Sequence, residues 1–166
     1  ATARECLPPE DSLDLINVGQ ITWLRNRMLE ADLLVRTGKA DQGSRLFREV
    51  LNRRDELKGV PWSEASGDSL ECYFRWGRGL LAVDRCDEAV SVLGEGEHLC
   101  LRPLLANRST EYRLLQAEAF FHTGDTDRCR AALDDVSAGI DASPIHSLRD
   151  WSEYYALRAQ MALRDD

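Results

Sequence analysis

Three histidines, His98, His122 and His146, are the side chains in this 166-residue sequence best suited to acid–base chemistry near neutral pH. Catalysis requires an acid, a base or a nucleophile that converge on one point. The histidines fall on different predicted elements without a recognisable catalytic neighbour, and no G-x-S-x-G, P-loop, H-E-x-x-H or dinucleotide-binding motif occurs. The sequence therefore predicts that the chain is not an enzyme and has no catalytic residues and no cofactor.

Cysteine is the second residue type that could do chemistry, because closely spaced cysteines bind metals. The five cysteines are Cys6, Cys72, Cys86, Cys100 and Cys129. Their spacings are long and no C-x-x-C pair occurs, so no metal site is predicted. We expect small, buried or half-buried thiols in a protein of a reducing compartment.

Charge and hydropathy restrict the location and the partners. The N-terminus lacks a basic segment followed by an apolar one, and the longest local apolar run, residues 80–83, is far shorter than the roughly 18 residues of a membrane span. We expect a cytoplasmic protein, or a nuclear one in a eukaryote, that is not secreted and has no membrane partner. The net charge of −8 argues against a nucleic-acid partner. Basic residues outnumber acidic ones between positions 25 and 58, which predicts an ion-paired surface or, alternatively, a patch for an acidic partner.

Helices must position these residues. Leucine and alanine greatly outnumber valine, isoleucine and threonine, and no segment shows the alternation of a strand. Glycine, proline and aspartate divide the chain into predicted helices at about residues 10–37, 41–57, 68–83, 87–99, 109–123, 127–138 and 147–164. Residues 59–67 are predicted to be a connection with an extra turn. Gly94 and Gly96 are predicted either to end the fourth helix early or to mark close packing.

An internal repeat relates three of the turns, whose centres, Gly38, Asp84 and Gly124, are 46 and 40 residues apart. At matched positions around each centre the chain carries two small residues, then a bulky apolar residue, then a residue that is valine in two of the copies. These positions are Ala31, Gly77 and Ala117; Gly43, Ala89 and Cys129; Phe47, Leu93 and Leu133; and Val50, Gly96 and Val136. Residues 111–117 also align with residues 153–159. Stacked helical hairpins explain this pattern, because small residues allow close approach and bulky residues fill the gap to the next hairpin.

The pattern resembles the tetratricopeptide repeat (TPR), most clearly in Trp76-Gly77…Leu80…Ala89…Leu93. The resemblance covers residues 24–166, although the repeats are longer than the roughly 34 residues of the family. It implies an all-α, right-handed solenoid of antiparallel helix hairpins. The expected organisation is an N-terminal extension over residues 1–9 and one TPR-like domain over residues 10–166, with hairpins at about 10–58, 62–99 and 108–139 and a final helix at 147–164.

In this family the first helix of each hairpin lines a concave groove that binds a peptide or a helix. The resemblance therefore implies a partner-binding groove that includes Arg25, Met28, Asp32, Arg36, Phe74, Arg78, Glu118, Phe121 and His122. The repeat alignment also places other residues on the groove side, among them Glu71, Glu111, Leu114, Glu153, Ala156 and Gln160. Phe74, Arg78, Phe121 and His122 are the predicted anchors. The lysine and asparagine clamp of the chaperone-binding subclass has no counterpart at the matching positions, so an amphipathic helix or an extended peptide is the expected occupant.

Two other functions fit the same fold. The expected function is a protein–protein interaction module of a larger scaffold or regulatory protein, whose partner is another protein or peptide or a further domain of its own parent chain. The alternative is a ligand- or signal-peptide-sensing regulatory domain of a transcription or signalling protein, for which a closed, polar pocket is expected instead of an open groove. A purely structural scaffold segment, with apolar ends that need neighbours, is the third possibility.

Overall fold

A computed structural model describes residues 10–55, 62–100, 106–142 and 148–165. Within these ranges the chain forms seven helices and no strand, so the all-α class is confirmed for them. The predicted extension, residues 1–9, and His146 lie outside the described residues. The helices are α1 (Glu10–Arg36), α2 (Ala40–Asp55), α3 (Trp62–Ala82), α4 (Cys86–Cys100), α5 (Ala106–Thr123), α6 (Thr126–Ala142) and α7 (Leu148–Asp165).

Two helices are longer than predicted. Helix α3 begins at Trp62, so the prediction of a connection over residues 62–67 is wrong, and α6 continues past Gly139 to Ala142. In both cases the prediction relied on a glycine as a breaker. A glycine inside a helix costs only about 1 kcal/mol, whereas each residue added to an existing helix gains a backbone hydrogen bond. Gly67 and Gly139 therefore do not end their helices.

The three similar turns have the same backbone geometry. Gly38, Asp84 and Gly124 have positive φ angles of 83°, 60° and 80°. In each turn the amide of the next residue donates a 2.9 Å hydrogen bond to the carbonyl oxygen five positions earlier, as in a Schellman C-cap. The repeat predicted from the sequence is thus confirmed at its turns. Aspartate takes the place of glycine in the second turn because it tolerates the left-handed region better than most residues.

Small residues bring the two helices of a hairpin close together. A Cβ atom at Gly77 of α3 would lie 2.6 Å from Cγ of Leu93 in α4. A Cβ atom at Gly43 of α2 would lie 2.7 Å from the carbonyl oxygen of Ala31 in α1. Both distances are too short for a real contact, so these positions require glycine at the present helix separation.

The two glycines of α4 have different surroundings. A Cβ atom at Gly96 would lie 2.8 Å from Tyr73, whereas nothing lies within 4 Å of Gly94. One turn earlier the Leu93 carbonyl accepts a 2.7 Å hydrogen bond from the buried Tyr112 hydroxyl of α5. The prediction of close packing is confirmed for Gly96, and the alternative of an early helix end is wrong.

The buried side chains form two hydrophobic clusters, one of helices α1 to α5 and the other of helices α5 to α7. Each helix contacts the next one in the chain, and α1, α3, α5 and α7 also contact one another in that order. All matched positions of the repeat are buried, namely Ala31, Gly77, Ala117, Gly43, Ala89, Cys129, Phe47, Leu93, Leu133, Val50, Gly96 and Val136. At the α2–α3 boundary the rings of Phe47 and Trp76 stack with centroids 5.7 Å apart.

The cysteines follow the prediction where the structure describes them. Cys72 and Cys129 are buried, Cys86 is half-buried, and all three are free thiols. Burial raises the pKa of the Cys72 and Cys129 thiols, which keeps them protonated at neutral pH. The side chains of Cys6 and Cys100 lie outside the described residues.

Candidate binding groove

Side chains from α3, α5 and α7 surround a groove of about 650 Å³. These helices are the first helices of the second and third hairpins and the unpaired last helix. The lining residues are Glu71, Phe74, Arg75, Arg78, Glu111, Leu114, Leu115, Glu118, His122, Glu153, Ala156, Leu157 and Gln160. The volume lies in the range of sites that bind a small molecule or a few side chains of a peptide.

The floor of the groove is apolar. Leu114, Leu115 and Leu157 line it and are nevertheless almost fully buried, so they also belong to the contacts between α5 and its neighbours. Phe74 of α3 is half-buried and packs against the core cluster that contains Leu115. The three leucines therefore close the bottom of the groove but expose little surface, so the half-buried Phe74 and the exposed Ala156 are the apolar side chains that a ligand can contact more fully.

Charged side chains surround this floor, and those of α3 differ from one another in their pairing. Arg75 Nε donates a 2.6 Å hydrogen bond to Glu71 Oε1, and its NH1 lies 4.0 Å from Asp32 Oδ2 of α1. Arg78, one turn further along, has no ion pair with any residue that the structure describes. Its Cζ lies 5.4 Å from the centroid of the Phe74 ring, a cation–π distance. Its Nε is buried and has no hydrogen-bond partner among the described residues.

The α5 and α7 sides of the groove are acidic. Burial raises the pKa of the Glu118 carboxyl group above its ordinary value, the nearby His122 lowers it, and the negative charge of Glu153 raises it. Glu111 has no hydrogen-bond or ion-pair partner within the described ranges. Glu118 of α5 and Glu153 of α7 thus lie close enough for their negative charges to repel each other.

Four of the predicted groove residues, Phe74, Arg78, Glu118 and His122, lie together around this groove. A fifth, Phe121, does not line it. The guanidinium of Arg164 in α7 covers the Phe121 ring, with Cζ 3.7 Å from the centroid. Arg164 NH1 also donates a 2.7 Å hydrogen bond to the Phe121 carbonyl oxygen. Phe121 therefore connects α5 to α7 and is covered on one ring face.

The four predicted residues of α1 do not line the groove. Met28 is only 4% exposed and packs in the core, so it offers almost no surface to a partner. Arg25 pairs with Asp68 at 3.3 Å, and Arg36 pairs with Asp32 at 2.7 Å. Asp32 reaches the edge of the groove only through Arg75. These contacts agree with the prediction of an ion-paired surface in the basic region.

Three lining residues were not predicted, namely Arg75, Leu115 and Leu157. The spacing of Glu71 and Arg75, four residues apart on a helix, is a signal that predicts their ion pair. Leu115 and Leu157 read as core residues in the sequence, and they are buried. No periodicity distinguishes a core leucine that also forms the floor of a groove from one that does not.

Neither a search for other kinds of site nor comparison with known proteins assigns a function to the chain. No group of three or more His, Cys, Asp or Glu side chains in the described ranges is arranged to hold a metal ion. None of the described helices combines the length and the apolar character that crossing a bilayer requires. Comparisons of the chain with protein-family models, with curated proteins and with solved structures found no match.

Proposed function

We propose that this chain is a TPR-like protein-interaction module that binds a segment of another protein in the groove of α3, α5 and α7. In this proposal the helices form a right-handed solenoid in which α1, α3, α5 and α7 line one side. The equal geometry of the three turns and the contacts of each odd-numbered helix with the next support a repeated hairpin. A module of this kind serves a larger scaffold or regulatory protein.

The observation that carries the proposal is the composition of the groove. An apolar floor, held in place by the core, is surrounded by charged side chains, among them Arg78, whose Nε has no hydrogen-bond partner in the described residues. Protein interfaces have this arrangement, with an apolar centre and a polar rim, and arginine and aromatic residues are frequent anchors. Phe74 and Arg78 provide such a pair on α3.

A peptide selection tests the proposal without knowledge of the natural partner. Random peptides of about twelve residues, enough for three helical turns, are selected by phage display on the folded domain. The selected peptides are then measured by fluorescence anisotropy against the wild type and Ala156→Arg. Ala156 is exposed and lines the groove, so a long side chain there blocks it without a change in the core. Ala131→Arg, at an exposed position of α6 outside the groove, is the matched control.

We expect Ala156→Arg to weaken binding by about ten-fold or more, which corresponds to about 1.4 kcal/mol, and Ala131→Arg to leave it unchanged. Equal binding by all three proteins would place the peptide on another surface and contradict the proposal. If no peptide is selected, and a small polar molecule instead protects the groove in a thermal-shift screen, the sensing domain becomes the better assignment.

A further inference from the structure

The groove residues form three rows, because they occupy equivalent positions of α3, α5 and α7 in the repeat. We name them the acidic row, the apolar row and the Arg78 row. They are, respectively, Glu71, Glu111 and Glu153; Phe74, Leu114 and Ala156; and Arg78, Glu118 and Gln160. On each helix the first and third rows are seven residues apart, which is about 10.5 Å at 1.5 Å per residue. An apolar strip thus separates an edge of three glutamates from an edge that carries one arginine, one glutamate and one glutamine.

Arg78 is a cation of this groove that forms no ion pair with the described residues and whose Nε has no hydrogen-bond partner among them. A buried donor without a partner is costly and rare in folded proteins. The stacking of the guanidinium on Phe74 restricts its position but supplies no acceptor for its N–H groups. An acceptor on a bound partner would pair with the outer N–H groups of the guanidinium, since Nε itself is shielded from solvent, and a carboxylate matches the planar donor geometry of arginine best.

The neighbouring arginines show that unpaired charge is not a general property of this surface. Arg75, one turn from Arg78 on the same helix, pairs with Glu71. Arg113 of α5 pairs with Glu97 and lies 3.8 Å from Asp135. Arg75 lines the same groove as Arg78, so the lack of an ion pair distinguishes Arg78 even from the other arginine of the groove.

The edge formed by the acidic row favours a positively charged group on the partner. Glu71 is engaged by Arg75, but Glu111 is exposed and has no ion-pair partner in the described ranges. A basic side chain of a partner would supply that ion pair. A partner with several negative charges, such as a phosphorylated segment, would meet Glu111 and Glu118 beside a single unpaired arginine and be repelled.

We infer that the bound segment carries both charges around an apolar centre: an aspartate or glutamate that pairs with Arg78, an apolar side chain on the apolar row, and a lysine or arginine beside Glu111. The inference rests on the proposed peptide-binding function and specifies the chemistry of its partner.

The test uses labelled peptides of about twelve residues, three helical turns, with a leucine centre and an acidic and a basic side chain on opposite flanks. Both chain directions are synthesised. Further peptides carry asparagine in place of the acid, two acids, two bases, or phosphoserine in place of the acid. Affinities are measured for the wild type, Arg78→Gln and Arg48→Gln. Arg48 is the matched control, because its Cζ lies 5.4 Å from the ring centroid of Trp76 but outside the groove.

We expect the mixed-charge peptide to bind the wild type more tightly than the other peptides do, in one of its two chain directions. Arg78→Gln should weaken the binding of that peptide by about ten-fold, and Arg48→Gln should change it little. Replacing the peptide acid by asparagine should weaken wild-type binding equally and should add nothing to Arg78→Gln. Arg78→Glu should prefer the peptide with two bases.

The outcomes separate this inference from the proposed function. Peptides that lose affinity for Ala156→Arg bind in the groove. If the affinity of such peptides does not change with Arg78→Gln or with removal of the peptide acid, the inference is wrong and the proposed function stands. Tighter binding of the phosphoserine peptide would also overturn the inference. If no peptide is sensitive to Ala156→Arg, both fail.

Discussion

The indole Nε1 of Trp76 in α3 donates a 2.9 Å hydrogen bond to the hydroxyl oxygen of Ser44 in α2, and both residues are buried. This bond joins two consecutive hairpins, because α2 ends the first and α3 begins the second. An indole N–H in a core requires such an acceptor. The bond therefore fixes how α3, which carries Phe74 and Arg78, sits on the preceding hairpin.

Replacing the acceptor Ser44 should lower the free energy of unfolding more than replacing a serine on the surface. We expect Ser44→Ala to lower the free energy of unfolding by about 1–3 kcal/mol, because it leaves the buried indole N–H without a partner. Ser91→Ala, at an exposed position of α4, is the control and should change stability by less than about 0.5 kcal/mol. Urea unfolding followed by circular dichroism gives both values.

A double-mutant cycle with Trp76→Phe separates the hydrogen bond from the lost packing volume. If the bond matters, Ser44→Ala should cost less in the Trp76→Phe background, since no indole N–H remains to be satisfied. Equal costs in the two backgrounds would show that the serine acts through packing alone.

Glycine to alanine should have opposite effects at two positions. Gly124→Ala places a Cβ atom at a φ of 80°, which costs about 1–2 kcal/mol. Gly94→Ala adds a methyl group in open space inside α4 and should gain up to about 1 kcal/mol from helix propensity. Thermal and urea unfolding of the two variants measure the difference, and a loss of stability in Gly94→Ala would contradict the surroundings that the structure gives this residue.

Much of the fold could be predicted because each copy of the repeat requires a residue that tolerates a positive φ at its turn, small residues between its helices and a bulky apolar residue in its core. Gly38 and Gly124 mark two turns plainly, and Asp84 marks the third only when its position in the repeat is considered, because aspartate is also common on ordinary surfaces. The sequence predicts a connection up to Gly67 where α3 in fact begins at Trp62, because glycine is a poor helix former and tertiary context often overrides such a local preference.

The groove could be predicted only in part. Repeat positions identify Phe74, Arg78, Glu118 and His122, because equivalent residues of stacked helices share one side. Met28 obeys the same spacing, but the structure places it in the core. Spacing predicts the pair of Arg75 with Glu71 but not the approach of Asp32 from α1, which depends on how α1 and α3 pack.

Glu118 should make stability depend on pH. Burial first, and then the charge of Glu153, raise the pKa of its carboxyl group above the ordinary value of 4.5, against the opposing effect of His122. The folded protein thus holds this proton more tightly than the unfolded chain does. Ionisation of Glu118 consequently lowers the free energy of unfolding as the pH rises through this range.

Glu118→Gln removes this ionisation. We expect the variant to be more stable than the wild type at about pH 7 and to lose that advantage as the pH falls below the ordinary pKa of glutamate. Urea unfolding at several pH values measures the difference between the two proteins. Glu95→Gln, at an exposed position of α4, controls for the loss of one negative charge. An advantage of Glu118→Gln that persists unchanged into acid would exclude a raised pKa as its cause.

The close approach of α3 and α4 at Gly77 should appear as a compensating pair of substitutions. Gly77→Ala puts a Cβ atom 2.6 Å from the Leu93 side chain and should cost about 1–3 kcal/mol through overpacking. Leu93→Val removes a methylene group from the buried side chain and should cost about 1 kcal/mol. In the double variant the smaller side chain makes room for the new methyl group, so its loss of stability should be less than the sum of the two. Additive losses in urea unfolding would mean that the two residues do not contact each other.

The same variants test whether the packing of α3 against α4 affects the groove. Helix α3 carries Phe74 and Arg78, so Gly77→Ala should weaken peptide binding, and adding Leu93→Val should restore part of it.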